Sequence, residues 1–126
     1  MKNDSYKEWF YQAEYDLKTA EAMFTSKRYL YCVFFCHLAI EKGLKGRLVK
    51  KKNIFPPKTH NLIYLIEKMQ MELSETDLTF VYRLNDASIP ARYPEDLKKI
   101  IKAYNAKNTS DILKQTKVLL KWIKEK

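Results

Sequence analysis

Hydrophobic residues recur at three- and four-residue steps along most of the chain, and this spacing predicts amphipathic helices rather than strands. The first predicted helix covers residues 5–26. Asp16 stands within its apolar stripe, so we expect it to find a tyrosine hydroxyl or a basic partner, or to lie at the edge of the stripe. A second helix is predicted at residues 28–51, and Pro56 and Pro57 prevent it from continuing.

Shorter helical patterns fill the second half of the chain. A third helix is predicted to start at Thr59 or Asn61, and a fourth at a capping box formed by Ser74 and Asp77. A short helix is predicted at residues 95–104, and the last helix starts at Asn108 or Thr109. We therefore expect an all-α, mostly antiparallel bundle of about four to five helices, forming one domain over residues 1–126.

The second predicted helix changes character halfway along its length. Residues 29–40 are apolar on every side except at His37, whereas residues 41–52 are amphipathic and strongly basic. A helix that is apolar all round must be surrounded by other helices, and its basic continuation must meet solvent or an anion. This helix is thus predicted to be both the centre of the fold and a wall of the ligand site.

The composition sets further limits. Two glycines and four prolines leave little material for turns, and the longest apolar run is about a dozen residues, below the ~18–20 that a membrane span requires. The first residues are polar and show no signal peptide, so we expect a soluble, cytoplasmic protein with no membrane contact. Cys32 and Cys36 are interpreted as buried thiols, and neither a metal site nor a cofactor is predicted.

The net charge of +9 is unevenly distributed. Seven basic residues and no acidic one lie between positions 42 and 58: Lys42, Lys45, Arg47, Lys50, Lys51, Lys52 and Lys58. Such a field attracts nucleotides, nucleic acid or an acidic protein. A solvated lysine-rich surface is the alternative interpretation, particularly for lysines outside this cluster.

Two groups of residues are candidates for chemistry. The spacing of Glu41 and Lys45 allows a simple ion pair within the helix. Beside a cleft, the same pair could instead orient a phosphate or a ribose. His37 lies on the same face and is expected to be a hydrogen-bonded core residue. His60 precedes a helix start. Either free amides there bind an anion with help from Lys58, Thr59 and His60, or Thr59 caps the helix and His60 packs on an aromatic ring.

The last candidate residue lies in a later loop, and the order of the motifs along the chain is typical of one protein family. Arg92 lies between two prolines, in a rigid loop suited to phosphate recognition or to bridging helix ends. The order of AIEKGLK at 39–45, PPKTHNL at 56–62 and ARYP at 91–94, between Trp9 and Trp122, resembles the HEPN domain family.

The resemblance implies an up-and-down helical bundle, typically a homodimer. It also implies partnership with a minimal nucleotidyltransferase in a toxin–antitoxin-like module, and nucleotide binding. The residues that match the family motifs are Glu41, Lys42, Lys45, Thr59, His60, Arg92 and Tyr93, and Lys58 adjoins them. The chain departs from the family pattern at residues 36–38, where many relatives have glutamines.

A ribonuclease branch of the same family carries an arginine followed after four to six residues by a histidine. No arginine of this chain has that spacing, so a nonenzymatic role is favoured and no catalytic residue is predicted. An RNA-cleaving toxin would have to bring Arg92 to His60 or His37 across the fold or across a dimer. A purely structural interaction partner is a further alternative, supported by the aromatic residues of the first helix, Trp9, Phe10, Tyr11 and Tyr15.

Overall fold

The computed structural model describes residues 4–87 and 94–125, with side chains for 4–87 and 98–125. These residues form six helices and no strand: α1 Tyr6–Thr25, α2 Tyr29–Lys52, α3 Leu62–Met69, α4 Glu75–Ala87, α5 Pro94–Ile101 and α6 Ala106–Glu125. The predicted all-α class is confirmed. Six helices exceed the four to five expected for the bundle; α3 and α5, of eight residues each, correspond to the predicted third and short helices.

Helix α2 is the centre of the bundle and packs against each of the other five helices. Much of its apolar half is buried, including the free thiols Cys32 and Cys36, but Tyr31 near its start is exposed, so the predicted burial on all sides is only partly met. Burial continues at most positions up to Val49, so the basic half is exposed chiefly at its last three residues. The hydrogen bond with Cys32, together with burial, raises the pKa of the Cys36 thiol. The described part of the chain contains no helix with the length and hydrophobicity needed to cross a membrane.

Contacts along α2 give the direction of its neighbours. α1 runs antiparallel to it, since Phe24 stacks near Tyr29 at one end while Lys42 pairs with Asp16 farther along. α6 runs parallel to α2, because Gly43 faces Leu120 and the Arg47 guanidinium, four residues later, donates a hydrogen bond to the Ile123 carbonyl at 3.0 Å. The bundle therefore combines antiparallel and parallel neighbours.

The two glycines of α2 allow other helices to approach closely. A Cβ atom on Gly46 would lie 2.6 Å from the Phe10 ring and 3.1 Å from the Cβ atom of Trp9 on α1. One on Gly43 would lie 2.6 Å from Leu120 Cδ1 on α6. Ordinary side chains keep larger distances, so both glycines serve helix packing.

The helix starts agree only in part with the predicted caps. Ser74 Oγ accepts from the Asp77 amide, as one half of the predicted capping box requires. The last helix begins earlier than predicted, at Ala106, because the side chains of Asn105 and Asn108 each accept from the backbone amide of the other at 2.9 Å. Asn105 is thus the cap, and Asn108 in the first turn returns a hydrogen bond to it.

Candidate functional site

Glu41 lies at the centre of a polar cluster on the inner face of α2. Its Oε1 atom lies 3.0 Å from Nδ1 of His60, and its Oε2 atom lies 3.1 Å from Nζ of Lys45. His37 Nδ1 is 3.8 Å from the same Oε1 atom. The Glu41 side chain is almost fully buried, and a buried carboxylate is tolerated only when cations and hydrogen-bond donors surround it. The predicted Glu41–Lys45 ion pair is confirmed.

Helix geometry and a proline-stiffened loop bring this cluster together. His37, Glu41 and Lys45 are four residues apart, so their side chains project from the same side of α2. The loop after α2 places the buried Pro56 against the bundle and returns the chain past the cluster. His60 arrives there from the loop rather than from a helix, and this allows its ring to meet Glu41 from outside.

His37 holds the loop in place. Its Nε2 atom lies 2.9 Å from the backbone carbonyl oxygen of His60. A carbonyl oxygen only accepts, so Nε2 of His37 carries the proton and donates. Because His37 is fully buried and engaged in this bond, it is the hydrogen-bonded core residue that the sequence predicts.

His60 is the exposed member of the cluster. An ionised Glu41 only accepts hydrogen bonds, so Nδ1 of His60 donates to it and Nε2 is the ring nitrogen that remains for a ligand. The His60 side chain is 61% exposed although its partner Glu41 is buried. A buried carboxylate thus orients an imidazole toward solvent, which suits the ring for binding an anion when protonated and for accepting a proton when neutral.

Lys42 and Lys45 are both paired with carboxylates of the protein. Lys45 is buried between Glu41 and the Trp9 ring, whose centroid is 5.7 Å from Nζ. Lys42 Nζ lies 2.7 Å from Asp16 Oδ2, in a close ion pair that is not aligned as a hydrogen bond. Asp16 has therefore found the basic partner that its place in the apolar stripe requires.

At the start of α3 one of the two predicted caps is confirmed. Asn61, not Thr59, is the cap: its Oδ1 atom accepts from the amides of Ile63 and Tyr64. The Leu62 amide donates to Asn85 Oδ1 of α4 at 2.9 Å. These amides are engaged within the protein, contrary to the expectation that they are free to bind an anion. The alternative that His60 packs on an aromatic ring stays a prediction.

Side chains near this start remain available for a ligand. The Lys58 side chain is exposed, and none of the ion pairs in the described residues includes it. The Thr59 hydroxyl accepts from the Asn61 amide at 3.1 Å. Arg92 and Tyr93 lie outside the described residues. The described part of the chain contains no group of three His, Cys, Asp or Glu side chains arranged to hold a metal ion.

Two relationships in this site were missed by sequence reasoning. The His60–Glu41 contact joins residues from different segments and depends on the path of the loop. Asn85 also contacts Asn61, with its side-chain nitrogen 3.3 Å from Asn61 Oδ1, and so ties the end of α4 to the same loop. The one sequence feature that indicates a role for Asn85 is its polar side chain on an otherwise apolar helix face.

Comparison with known proteins supports the resemblance of the motifs. The crystal structure of TT1696 from Thermus thermophilus superposes with a TM-score of 0.82, at 19% sequence identity and with 98% of each chain covered. At that identity the likeness establishes the fold alone. No curated protein matches the chain significantly. The family model described as HEPN domain matches residues 6–126. The chain therefore belongs to the HEPN domain family.

Proposed function

We propose that this chain is a nonenzymatic, single-domain HEPN protein that binds a nucleotide or another phosphate-bearing ligand at the exposed edge of His60. One observation carries the proposal: an imidazole held by the buried Glu41 carboxylate leaves its second ring nitrogen for a ligand, two residues from the exposed Lys58. Protonated, His60 offers an N–H to a phosphate oxygen, and Lys58 supplies a second positive charge.

The other motif residues have distinct parts in this proposal. Lys45 and Lys42 neutralise Glu41 and Asp16, so they fix the wall of the site rather than donate to the ligand. Thr59 shapes the loop through its bond with the Asn61 amide. Arg92 and Tyr93 are proposed as further ligand contacts on the strength of the sequence motif alone.

Calorimetric titration with ATP, AMP and pyrophosphate tests the proposal. We expect His60→Gln, Lys58→Glu and Arg92→Glu each to weaken binding about fivefold or more, since each removes or reverses one phosphate contact. Lys114→Glu on the exposed face of α6 is the matched control, because it changes the net charge as much as Lys58→Glu does. If Lys58→Glu and Lys114→Glu weakened binding equally, the loss would reflect net charge alone, and this would contradict the proposed site.

We also propose that the protein is a homodimer that acts with a minimal nucleotidyltransferase in a toxin–antitoxin-like module. Tyr11 and Tyr15 support a protein interface, because they lie one turn apart on α1 with 66% and 64% of their surface exposed. Light scattering at micromolar concentration should give twice the chain mass. A neighbouring nucleotidyltransferase gene whose product co-purifies with the chain would support the partnership, and a monomer that binds no such partner would count against it.

RNA cleavage is the second candidate, and the Glu41–His60 pair favours it specifically. A buried carboxylate that orients an imidazole is the positioning half of a general acid–base pair. His60 would accept the proton of the ribose hydroxyl, with Arg92 as the proposed phosphate partner. Incubation of the purified protein with RNA in a chelator distinguishes the two functions: cleavage that His60→Gln abolishes supports the enzyme, and intact RNA supports binding alone.

A further inference from the structure

A cleft opens between α2, α4, α5 and α6, and no residue of the His60 cluster lines it. Its volume is about 290 Å³. This is near the lower end of the ~300–1,000 Å³ usual for ligand pockets, so the cleft suits one small metabolite rather than a peptide. Its walls are mostly apolar and are formed by Val33, Phe80, Leu84, Ile100 and Ile112.

Two opposite charges stand at this apolar cleft. Arg83 and Asp86, three residues apart on α4, both line it, and both are exposed. Side chains at this spacing are neighbours on a helix surface. None of the ion pairs in the described residues joins them to each other or to another residue. The cleft therefore presents a positive and a negative group whose charges the described side chains leave unpaired.

Tyr104 also lines this cleft. The residue is half-buried at the end of the α5 segment. Burial raises the pKa of its phenol, and the nearby charge of Arg83 partly opposes that effect. The phenol thus remains protonated at neutral pH.

We propose that this cleft binds an apolar α-amino acid, with its side chain on Val33, Phe80 and Leu84, its carboxylate at Arg83 and its ammonium group at Asp86. A simple carboxylic acid would leave Asp86 unpaired and facing a like charge, and a simple amine would do the same at Arg83. A ligand that carries both charges beside an apolar group makes use of all three features of the cleft. The inference is independent of the His60 site.

Titration of the whole protein with L-phenylalanine and L-leucine, followed by calorimetry or NMR, tests this assignment. We expect saturable binding with a Kd on the order of 1 mM or tighter, as few ligand atoms are available. 3-Phenylpropionate lacks the ammonium group and phenethylamine lacks the carboxylate, and each should bind about tenfold more weakly than L-phenylalanine because a charged partner is lost.

Two variants locate the ligand. Arg83→Gln and Asp86→Asn should each weaken L-phenylalanine binding about tenfold. Both residues are exposed, so the fold is expected to persist, and circular dichroism verifies this. Lys114→Gln and Glu67→Gln remove the same charges from exposed positions on α6 and α3 and should leave binding unchanged. No saturable binding at ~10 mM ligand, equal binding of the two analogues and L-phenylalanine, or equal affinity in all four variants would overturn the proposal.

Discussion

His60 Nδ1 lies 3.0 Å from Oε1 of Glu41, so a mostly exposed imidazole rests on an almost fully buried carboxylate. The contact links the central helix to the loop before α3. Burying Glu41 is tolerable because Lys45 neutralises it from the other side. Glu41 therefore contacts both Lys45 in the core and His60 in the candidate ligand site, so the same carboxylate stabilises the core and orients the His60 ring.

Removal of Glu41 should destabilise the protein strongly. Glu41→Ala leaves the buried Lys45 ammonium without its partner, and we expect the free energy of unfolding to fall by about 3 kcal/mol or more. Urea denaturation measures the loss. The double variant Glu41→Leu, Lys45→Met removes both charges and should recover most of it. A single variant as stable as the wild type would show that this pair is not buried in solution.

The ion pair between α1 and α2 gives a separate prediction. Lys42→Ala leaves the buried Asp16 carboxylate without its cation, and we expect a loss of about 2 kcal/mol in unfolding free energy. Lys18→Ala, an exposed lysine of α1, is the control and should cost less than about 0.5 kcal/mol. Thermal unfolding followed by circular dichroism compares the two; similar melting temperatures would argue against Lys42 as the partner of Asp16.

Gly46→Ala tests the close approach of α1 to α2. Alanine favours a helix over glycine by about 1 kcal/mol, but its methyl group would meet the Phe10 ring at 2.6 Å. We expect overpacking to dominate, with a net loss of about 1–2 kcal/mol in a urea titration. Shortening the opposing side chain in a Gly46→Ala, Phe10→Leu variant should reduce the effect of the added methyl group. A stabilised Gly46→Ala protein would mean that the helices pack less closely.

Tyr104 makes stability depend on alkaline pH. Its folded-state pKa is raised above the ordinary value of 10.0, chiefly by burial. Below pH 10.0 the phenol is protonated in both states, and its full contribution to the free energy of unfolding is present. As the pH rises from 10.0 through the folded-state pKa, the unfolded chain releases the proton first, so this contribution is lost. Urea titrations at several alkaline pH values should show a steeper loss of stability in the wild type than in Tyr104→Phe. Parallel curves would place the phenol in solvent.

Much of this architecture is encoded in local patterns. The apolar half of α2 predicts its central position, and the placement of Asp16 in an apolar stripe predicts a basic partner, because both inferences depend only on burial and helical periodicity. The sequence alone does not locate the start of α6, because Asn105 and Asn108 are equally good capping residues and only their reciprocal bonds identify the first of them as the cap.

The candidate site depends on contacts that local patterns do not encode. Which side chain approaches Glu41 depends on the path of the loop between α2 and α3, and the sequence offered an aromatic ring and a phosphate as equally good partners for His60. The parallel course of α6 beside α2 also depends on how the intervening helices return the chain. Both features arise from the whole fold, so periodicity and capping rules do not reach them.

NMR observation of the two histidine side chains during an ATP titration tests the central claim most directly. The chain contains only His37 and His60, so one substitution assigns both sets of imidazole signals. If phosphate binds at the exposed edge of His60, its ring signals should shift saturably with ATP, whereas those of the buried His37 should move little. ATP binding that leaves the His60 signals in place, or the absence of any binding, would contradict the account.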